Sequence, residues 1–237
     1  MIHIFYRHFN IDTDKRGSMF NNRGVRPNWF NFRHCFRNLL RTIDGKDVTL
    51  HVVFDGNIKD NWINNYKDKF ITHEIQAGSD QSSFFQTWEI AKNTSIEEND
   101  LIYFLENDYL HVNGWVDKVN ELFAKYNLLH YVSLYDHNDK YMDKTYPDLV
   151  SKVLISETHH CRTTPSTCGS FIVKKQLFDL DYDIHTTIVG DHNKFLDLYN
   201  QRQRLVITPI PGLSTHIMRG LMSPTINWEE ISNKEND

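Results

Sequence analysis

A short apolar run, Leu101 to Leu105, ends abruptly in two carboxylates one residue apart, Glu106 and Asp108. Apolar runs of this length that are flanked by turn formers are typical of buried strands. In an extended segment residues i and i+2 point to the same side, so Glu106 and Asp108 could share one hard cation. Ligands of open α/β sheets bind beyond the carboxyl ends of the strands, which makes this segment a candidate ligand site. A solvated acidic turn that closes a hairpin is the alternative interpretation.

Predicted strands and helices alternate along the first half of the chain. The strands are Ile2 to Tyr6, Val48 to Phe54, Ile71 to Ile75 and the run before Glu106; the helices are Trp29 to Ile43, Trp62 to Phe70 and the segment that Ser79 or Asp80 caps, up to Ala91 or beyond. Asp55 ends the second strand as Glu106 ends the fourth. This alternation predicts an α/β fold, with a mixed, mostly parallel sheet flanked by helices.

The pattern beyond Trp115 is less regular. It predicts a helix to Tyr126, a strand at Leu129 to Tyr135, a run at Lys152 to Ser156, a loop from Glu157 to Thr167, a strand at Cys168 to Val173, a helix from Asn193 to Tyr199 and a strand at Leu205 to Pro211. No repeat or linker divides the chain. We therefore expect a single domain over residues 1–231 and a loose tail over residues 232–237.

Length and charge exclude some classes of function. The chain has 237 residues, and its formal net charge of −5 gives no global reason to expect nucleic acid or an anionic membrane as a partner. No apolar stretch is long enough to cross a bilayer. Three cysteines without a Cys-x-x-Cys pair favour a reducing compartment, so we expect a soluble, cytoplasmic protein without a transmembrane segment.

One segment differs from this acidic average. Between Lys15 and Arg41 there are seven basic residues and no Asp or Glu. Arg33, Arg37 and Arg41 fall four residues apart on one face of the predicted helix. Such an arginine stripe could bind phosphate, or it could be an ordinary solvated face.

Four features, taken in order, resemble the GT-A glycosyltransferases, most closely the inverting family 2 type. Asp55 in Val-Val-Phe-Asp-Gly-Asn looks like the aspartate that binds the donor's base in that family. Glu106-Asn107-Asp108 resembles the Asp-x-Asp motif that binds a metal bridging the donor's diphosphate, although glutamate in the first position departs from the commonest form. Gly190-Asp191-His192 is similar to the segment with the general base, usually Glu-Asp, and here Gly190 replaces the glutamate. His216 matches the late histidine that completes the metal site.

The resemblance implies a GT-A, Rossmann-like fold in which residues 1–115 bind a nucleotide-sugar donor and residues 116–231 bind the acceptor. It implies a metal site of Asp108, His216 and Glu106, a general base at Asp191, and donor-binding residues Arg7, Phe9, Asp55, Asp80, Glu106 and Asn107. The expected reaction is direct displacement at the sugar, with inversion. A histidine ligand favours Mn²⁺ over Mg²⁺, because imidazole suits the softer ion better.

Two alternatives share the predicted fold. Nucleotidyltransferases also place carboxylates and a metal beside a nucleotide, but they usually carry a Gly-rich basic loop directly after the first strand, where this chain has Arg7-His8-Phe9-Asn10. A non-catalytic module that binds a nucleotide or sugar would not need to retain Glu106, Asp108, Asp191 and His216 together.

No motif identifies the acceptor. Glycan, lipid-linked and protein acceptors all fit a compact transferase. A modified DNA base becomes a further candidate if the arginine stripe binds phosphate, and such a base would have to be extruded or single-stranded to reach the site. For the donor nucleotide we expect UDP, and the sequence does not predict an oligomeric state.

Overall fold

The structure, a computed structural model, describes residues 1–9, 26–126, 129–142 and 145–235. Three of the basic residues before the predicted arginine helix, Lys15, Arg16 and Arg23, lie outside the described residues. None of the described helices is long and apolar enough to span a membrane.

Strands and helices alternate through the described part of the chain. The strands are β1 (Ile2–Phe9), β2 (Val48–Asp55), β3 (Ile71–Ile75), β4 (Leu101–Glu106), β5 (Tyr109–His111), β6 (Tyr131–Val132), β7 (Val153–Ile155), β8 (His160–Thr164), β9 (Phe171–Lys174), β10 (Val206–Ile210) and β11 (Ser214–His216). The helices are α1 (Phe32–Ile43), α2 (Asp80–Asn93), α3 (Trp115–Lys125), α4 (Lys175–Leu180), α5 (Tyr182–Thr187), α6 (Asp191–Arg202) and α7 (Trp228–Asn233). Three further segments are 3₁₀-helical, namely Ile58–Asp60, Trp62–Lys69 and Asn138–Tyr141.

Nine strands form one large sheet in the order β3-β2-β1-β4-β9-β6-β10-β8-β7. β3, β2, β1 and β4 are mutually parallel, and β6, β10 and β7 run in the same direction; β9 and β8 run the other way. The prediction of a mixed, mostly parallel sheet flanked by helices is therefore confirmed. β5 and β11 form a small separate antiparallel pair at the end of β4.

Helices cover both faces of the large sheet, which explains why its central strands read as apolar runs. Successive residues of a strand point to opposite faces, so in β1 Tyr6 packs in one cluster and Phe5 in the other. The first cluster includes residues of α1 and α3, and the second includes residues of α2, α4, α5 and α6. The first cluster extends from Ile2 to Leu213, so both predicted halves of the chain contribute to one core.

Two strands in the second half of the chain differ from the sequence prediction, and α4, α5, β11 and α7 had no predicted counterpart. The predicted loop from Glu157 to Thr167 contains β8, whose polar sequence carries no local strand signal. β8 is a strand because it pairs with both β10 and β7. The predicted strand from Leu129 to Tyr135 is much shorter, because only Tyr131 and Val132 form the ladder of β6.

The C-terminal segment differs from the predicted loose tail as far as the structure describes it. Ser232 and Asn233 belong to α7, and Glu235 is buried. Arg41 on α1 holds the Glu235 carboxylate at 2.7 Å, and Arg37 donates to the backbone carbonyl of Glu235 at 3.0 Å. Arg41 and Glu235 are 194 positions apart, so no local sequence pattern could have shown this contact.

Candidate functional site

The carboxyl ends of β1, β2 and β4 meet at one edge of the sheet, because these strands are parallel neighbours. In the register of the sheet Phe9 lies beside Asp55, and Arg7 lies beside Glu106. Four of the residues predicted to bind a donor are thus brought together by topology alone. This edge is where ligands bind in open α/β sheets.

A group of three potential metal ligands lies at the end of β4. Glu106, Asp108 and His216 each offer a ligand atom, and these atoms lie within 4.8 Å of one another. His216 reaches the group because β11 pairs with β5, which places it opposite Tyr109. The imidazole stacks on the Tyr109 ring at a centroid distance of 5.2 Å, and its Nε2 lies 2.9 Å from Asp108 Oδ2. The structure therefore brings together all three residues predicted to bind a metal.

The charges around Asp108 favour its ionised form. Burial raises the pKa of this carboxyl, but His216 and the Arg26 guanidinium more than offset that effect and hold the pKa well below its usual range. Arg26 Nη2 lies 2.5 Å from Asp108 Oδ2, and Arg26 also donates to the carbonyl of Ile217. Glu106 behaves differently: burial raises its pKa, the Arg7 charge opposes the rise, and the neighbouring Asp108 adds to it.

Asp108 Oδ1 is the atom that best shows whether these residues suit a cation. It is buried and has no hydrogen-bond partner in the described part of the chain. A buried carboxylate oxygen without a partner is costly, and a cation would satisfy it. Two carboxylates and one imidazole are also a donor set that Mn²⁺ accepts readily. The group therefore fits a divalent metal ion.

The Arg7 side chain ties the metal group to the start of α2. Its guanidinium donates to Glu106 Oε1 at 2.7 Å and to Asp80 Oδ1 at 3.2 Å, and it lies 3.3 Å above the centre of the Phe84 ring. Gly169 borders the same ring on the chain leading into β9. A Cβ at Gly169 would lie 2.7 Å from Phe84 Cζ, so a side chain there would have to displace the ring or the turn.

The remaining predicted donor residues lie at the same edge with partners of their own. Asp55 Oδ1 accepts a hydrogen bond from the Ala77 backbone amide at 2.9 Å, which ties the end of β2 to the segment before α2. Asn107 is buried, and its Nδ2 contacts His8 Nδ1 at 2.9 Å. Phe9 is partly exposed at the end of β1. Donor binding by these residues stays a prediction.

Asp191, the predicted general base, is the first residue of α6. Both of its carboxylate oxygens accept hydrogen bonds from the turn before β9. Its Oδ2 accepts from the backbone amides of Thr167 and Cys168 at 2.6 and 2.9 Å. Its Oδ1 accepts from the Thr167 hydroxyl and the Gly169 amide at 2.6 and 3.0 Å. A carboxylate has about four acceptor positions, so Asp191 would have to release a donor before accepting another proton. The base role stays a prediction.

The arginine stripe of α1 is engaged within the protein. Besides holding Glu235, Arg37 donates to the Tyr66 hydroxyl at 3.1 Å. Arg41 donates to Asn113 at 2.6 Å, and Arg33 lies 5.6 Å above the Trp62 ring. Arg37 and Arg41 thus dock the C-terminal segment. A DNA-base acceptor stays a prediction.

Two residues of the site have little or no signal in the sequence. Arg26 is one of seven basic residues between Lys15 and Arg41, but nothing in that stretch distinguishes it. Phe84 belongs to a helical pattern in which an aromatic residue is ordinarily part of the core. Their contacts with Asp108 and Arg7 depend on the packing of α2 and the chain before α1 against the sheet edge.

Comparisons with known proteins give similarity of structure alone. No protein-family model and no curated protein matches the chain. A structure from Desulfovibrio desulfuricans G20, assigned as a nucleotide-diphospho-sugar transferase, is similar over 87% of this chain and 78% of its own, with 10% identity and a TM-score of 0.50. Staphylococcus aureus TarS matches 87% of this chain with 10% identity and a TM-score of 0.53, and this chain covers 34% of TarS.

The chain has the GT-A fold. At this level of identity the similarity shows the fold and not the reaction. A CMP-2-keto-3-deoxy-manno-octonic acid synthetase in complex with CTP is also similar, with 10% identity and a TM-score of 0.50, over 89% of this chain and 92% of its own. The similar structures thus include a nucleotide-diphospho-sugar transferase and a synthetase that binds CTP, so the fold alone does not identify the reaction.

Proposed function

We propose that this protein is a metal-dependent glycosyltransferase that moves a sugar from a nucleotide-diphosphate sugar to an acceptor hydroxyl. The observation that carries the proposal is the group of Glu106, Asp108 and His216 at the carboxyl edge of a GT-A sheet. The buried Oδ1 of Asp108 has no hydrogen-bond partner in the described ranges, which favours a cation site over a solvated acidic turn. It lies at the edge where the ends of β1 and β2 also present Arg7 and Asp55.

Asp108 and His216 would hold the cation, with Glu106 as the third ligand. A divalent cation bound there supplies positive charge that stabilises a departing diphosphate. The imidazole ligand favours Mn²⁺ over Mg²⁺. Arg7 fixes the orientation of Glu106 through its 2.7 Å hydrogen bond, and its own guanidinium keeps that ligand from turning away.

For the acceptor we propose direct displacement, with inversion at the sugar and Asp191 as the base that takes the hydroxyl proton. Asp191 starts α6 and lies against the turn that leads to Gly169, which in turn borders Phe84. Proton transfer requires that Asp191 exchange one of its four hydrogen-bond donors for the acceptor hydroxyl. The side-chain hydroxyl of Thr167 is the donor that can leave without moving the backbone.

Nucleotidyl transfer is the second candidate, because the similarity to a CTP-bound synthetase extends over nearly the whole of both chains. The two reactions differ in their products. Sugar transfer from a nucleotide-diphosphate sugar releases a nucleoside diphosphate, whereas nucleotidyl transfer from a triphosphate releases pyrophosphate. Assaying both products with matched substrates therefore separates the two candidates.

The first test is thermal unfolding with UDP, GDP, TDP and CMP, each with and without Mn²⁺. We expect one nucleotide to raise the melting temperature only when the metal is present. Asp108→Asn should abolish this rise, because it removes the charge that holds the cation. Asp117→Asn, an exposed position on α3 whose partner is Lys46, is the matched control and should keep the rise.

A variant that fails to fold would not answer the question, so His216→Gln provides a second test of the same site. A metal-dependent rise that persists in both Asp108→Asn and His216→Gln would exclude the proposed metal site. No rise with any nucleotide in the unaltered protein would remove the support for nucleotide-dependent transfer.

A further inference from the structure

Lys194 differs from the other buried lysines of the structure. Lys140, Lys175 and Lys194 are all at most 8% exposed. Lys140 is paired with Asp139 at 2.8 Å, and Lys175 is paired with Asp179. Among the described residues no carboxylate, carbonyl or hydroxyl accepts a hydrogen bond from Lys194. The Lys194 side chain is mostly buried, and the donors of its ammonium are not taken up by any described acceptor.

The surroundings of Lys194 are cationic and aromatic. Its Nζ lies 3.6 Å from the centre of the Trp88 ring. Trp88 contacts Phe84 one turn earlier on α2, with ring centroids 5.6 Å apart, and the Arg7 guanidinium lies on Phe84. Two cations are therefore held by adjacent aromatic rings of one helix. Burial lowers the pKa of Lys194 to about 8, with the Arg7 charge acting in the same direction and Asp191 opposing it.

The nearest anions are already used by other groups. Asp191 lies one turn before Lys194 on α6, but all four of its acceptor positions are filled by the turn at Thr167 to Gly169. Glu106 and Asp80 accept hydrogen bonds from Arg7 and none from Lys194. The Nε1 of Trp88 is also buried without a partner in the described ranges. Asp191 attracts the Lys194 charge, but no described group accepts a hydrogen bond from the ammonium.

We propose that Lys194 binds an anionic group of the substrate, a carboxylate or phosphate carried by the transferred sugar or by the acceptor. This inference rests on the proposed function, because it assigns a substrate class to the same site. The ammonium and the indole N–H of Trp88 would donate hydrogen bonds to the anion, and the Arg7 charge would add to the attraction. Hydrogen bonds between charged groups are about twice as strong as neutral ones, so a single lysine can decide this selectivity.

The test uses two simple anions, inorganic phosphate and glucuronate, titrated without metal or nucleotide at constant ionic strength. We expect at least one anion to raise the melting temperature of the unaltered protein. Lys194→Met should weaken that binding roughly tenfold to a hundredfold, the loss expected for one hydrogen bond to a charged group. A response to phosphate alone would assign a phosphorylated substrate, and a response to glucuronate alone would assign a carboxylated sugar.

The matched control is Lys92→Met. Lys92 also lies above an aromatic ring, Tyr182, at 5.2 Å, but it is paired with Asp179 at 3.2 Å and its side chain is 37% exposed. This variant should keep the anion response. Equal responses in Lys194→Met and the unaltered protein, or no response to either anion, would overturn the inference.

A second measurement needs no variant. An amine-acylating reagent applied near pH 8 should modify Lys194, because a lowered pKa leaves part of the amine uncharged. The responding anion should slow acylation at Lys194 and not at Lys92, as measured by mass spectrometry. Equal rates with and without the anion would count against the inference. Because these tests omit metal and nucleotide, an anion response that survives Asp108→Asn would stand even if nucleotide binding failed.

Discussion

Gly169→Ala would place a methyl group against the ring that supports Arg7. The added Cβ would lie 2.7 Å from Phe84 Cζ and 3.2 Å from Cε1. Cβ contacts below 3.0 Å are not tolerated, so either the ring or the turn at residues 167–169 must move. Gly169 also has a φ of +77°, where an L-amino acid with a side chain is strained. The substitution therefore combines a backbone cost with a packing cost.

The two costs can be separated by a second glycine. Gly114 has nearly the same φ, +76°, but a Cβ added there would have no atom within 4 Å among the described residues. Both alanine variants should lose about 1–2 kcal/mol from the left-handed conformation. Overpacking should cost Gly169→Ala a further ~1–3 kcal/mol. For a chain of this size each kcal/mol lowers the melting temperature by about 2–4 °C, so the difference between the variants should be about 2–12 °C.

Differential scanning calorimetry of the two variants measures this difference directly. Moving Phe84 should also disturb Arg7 and, through its 2.7 Å hydrogen bond, Glu106. Gly169→Ala should therefore weaken Mn²⁺ binding as measured by calorimetric titration, whereas Gly114→Ala should not. Equal melting temperatures and equal metal affinities for the two variants would refute the role given to the contact between Gly169 and Phe84.

Two further predictions concern Asp191 and a row of histidines in the sheet. Asp191→Asn should lower kcat by a factor of about 10²–10⁴ if this residue is the base. Thr167→Val, which removes one hydrogen bond to Asp191, should keep most of the activity. If the loss of activity in both variants simply follows the loss of melting temperature, Asp191 only stabilises the turn. His51 hydrogen-bonds to His73, and burial lowers its pKa to about 4, with repulsion from His73 acting in the same direction. The unfolded chain, which titrates near 6.5, then binds more protons, so urea midpoints should fall as pH drops from about 6.5 to about 4. His51→Gln should flatten this dependence and the exposed control His192→Gln should not; equal slopes in all three proteins would contradict the assignment.

The strands that build the site were predictable because their signals are local. The apolar run before Glu106 and the turn residues after Asp55 show where β4 and β2 end, and parallel pairing then places both ends at one edge. Glu106 and Asp108 do bring their ligand atoms together, but Asp108 lies in the turn between β4 and β5, so the two-residue period of an extended chain is not the cause. His216 is different: only the family resemblance connected it with Glu106 and Asp108, which lie more than one hundred positions earlier.

Long-range contacts account for what the sequence did not show. β8 is polar and becomes a strand by pairing with β10. Glu235 is buried because two arginines of α1 hold it. Nothing local distinguishes these residues from solvated loop or tail, since hydrogen bonds and ion pairs between distant segments depend on the folded position of both partners.

The amino-acid sequence by itself determined the α/β alternation, the acidic end of β4 and the residue types of the metal site, because periodicity and residue chemistry are properties of short segments. Only the tertiary structure decided how those residues are used. It joined His216 to Asp108 through the pairing of β11 with β5, and it left Asp108 Oδ1 without a partner among the described residues. It also filled the acceptor positions of Asp191 and packed the Lys194 ammonium on the Trp88 ring. Each of these features depends on which residues from distant parts of the chain come into contact, and those contacts form only when the chain folds.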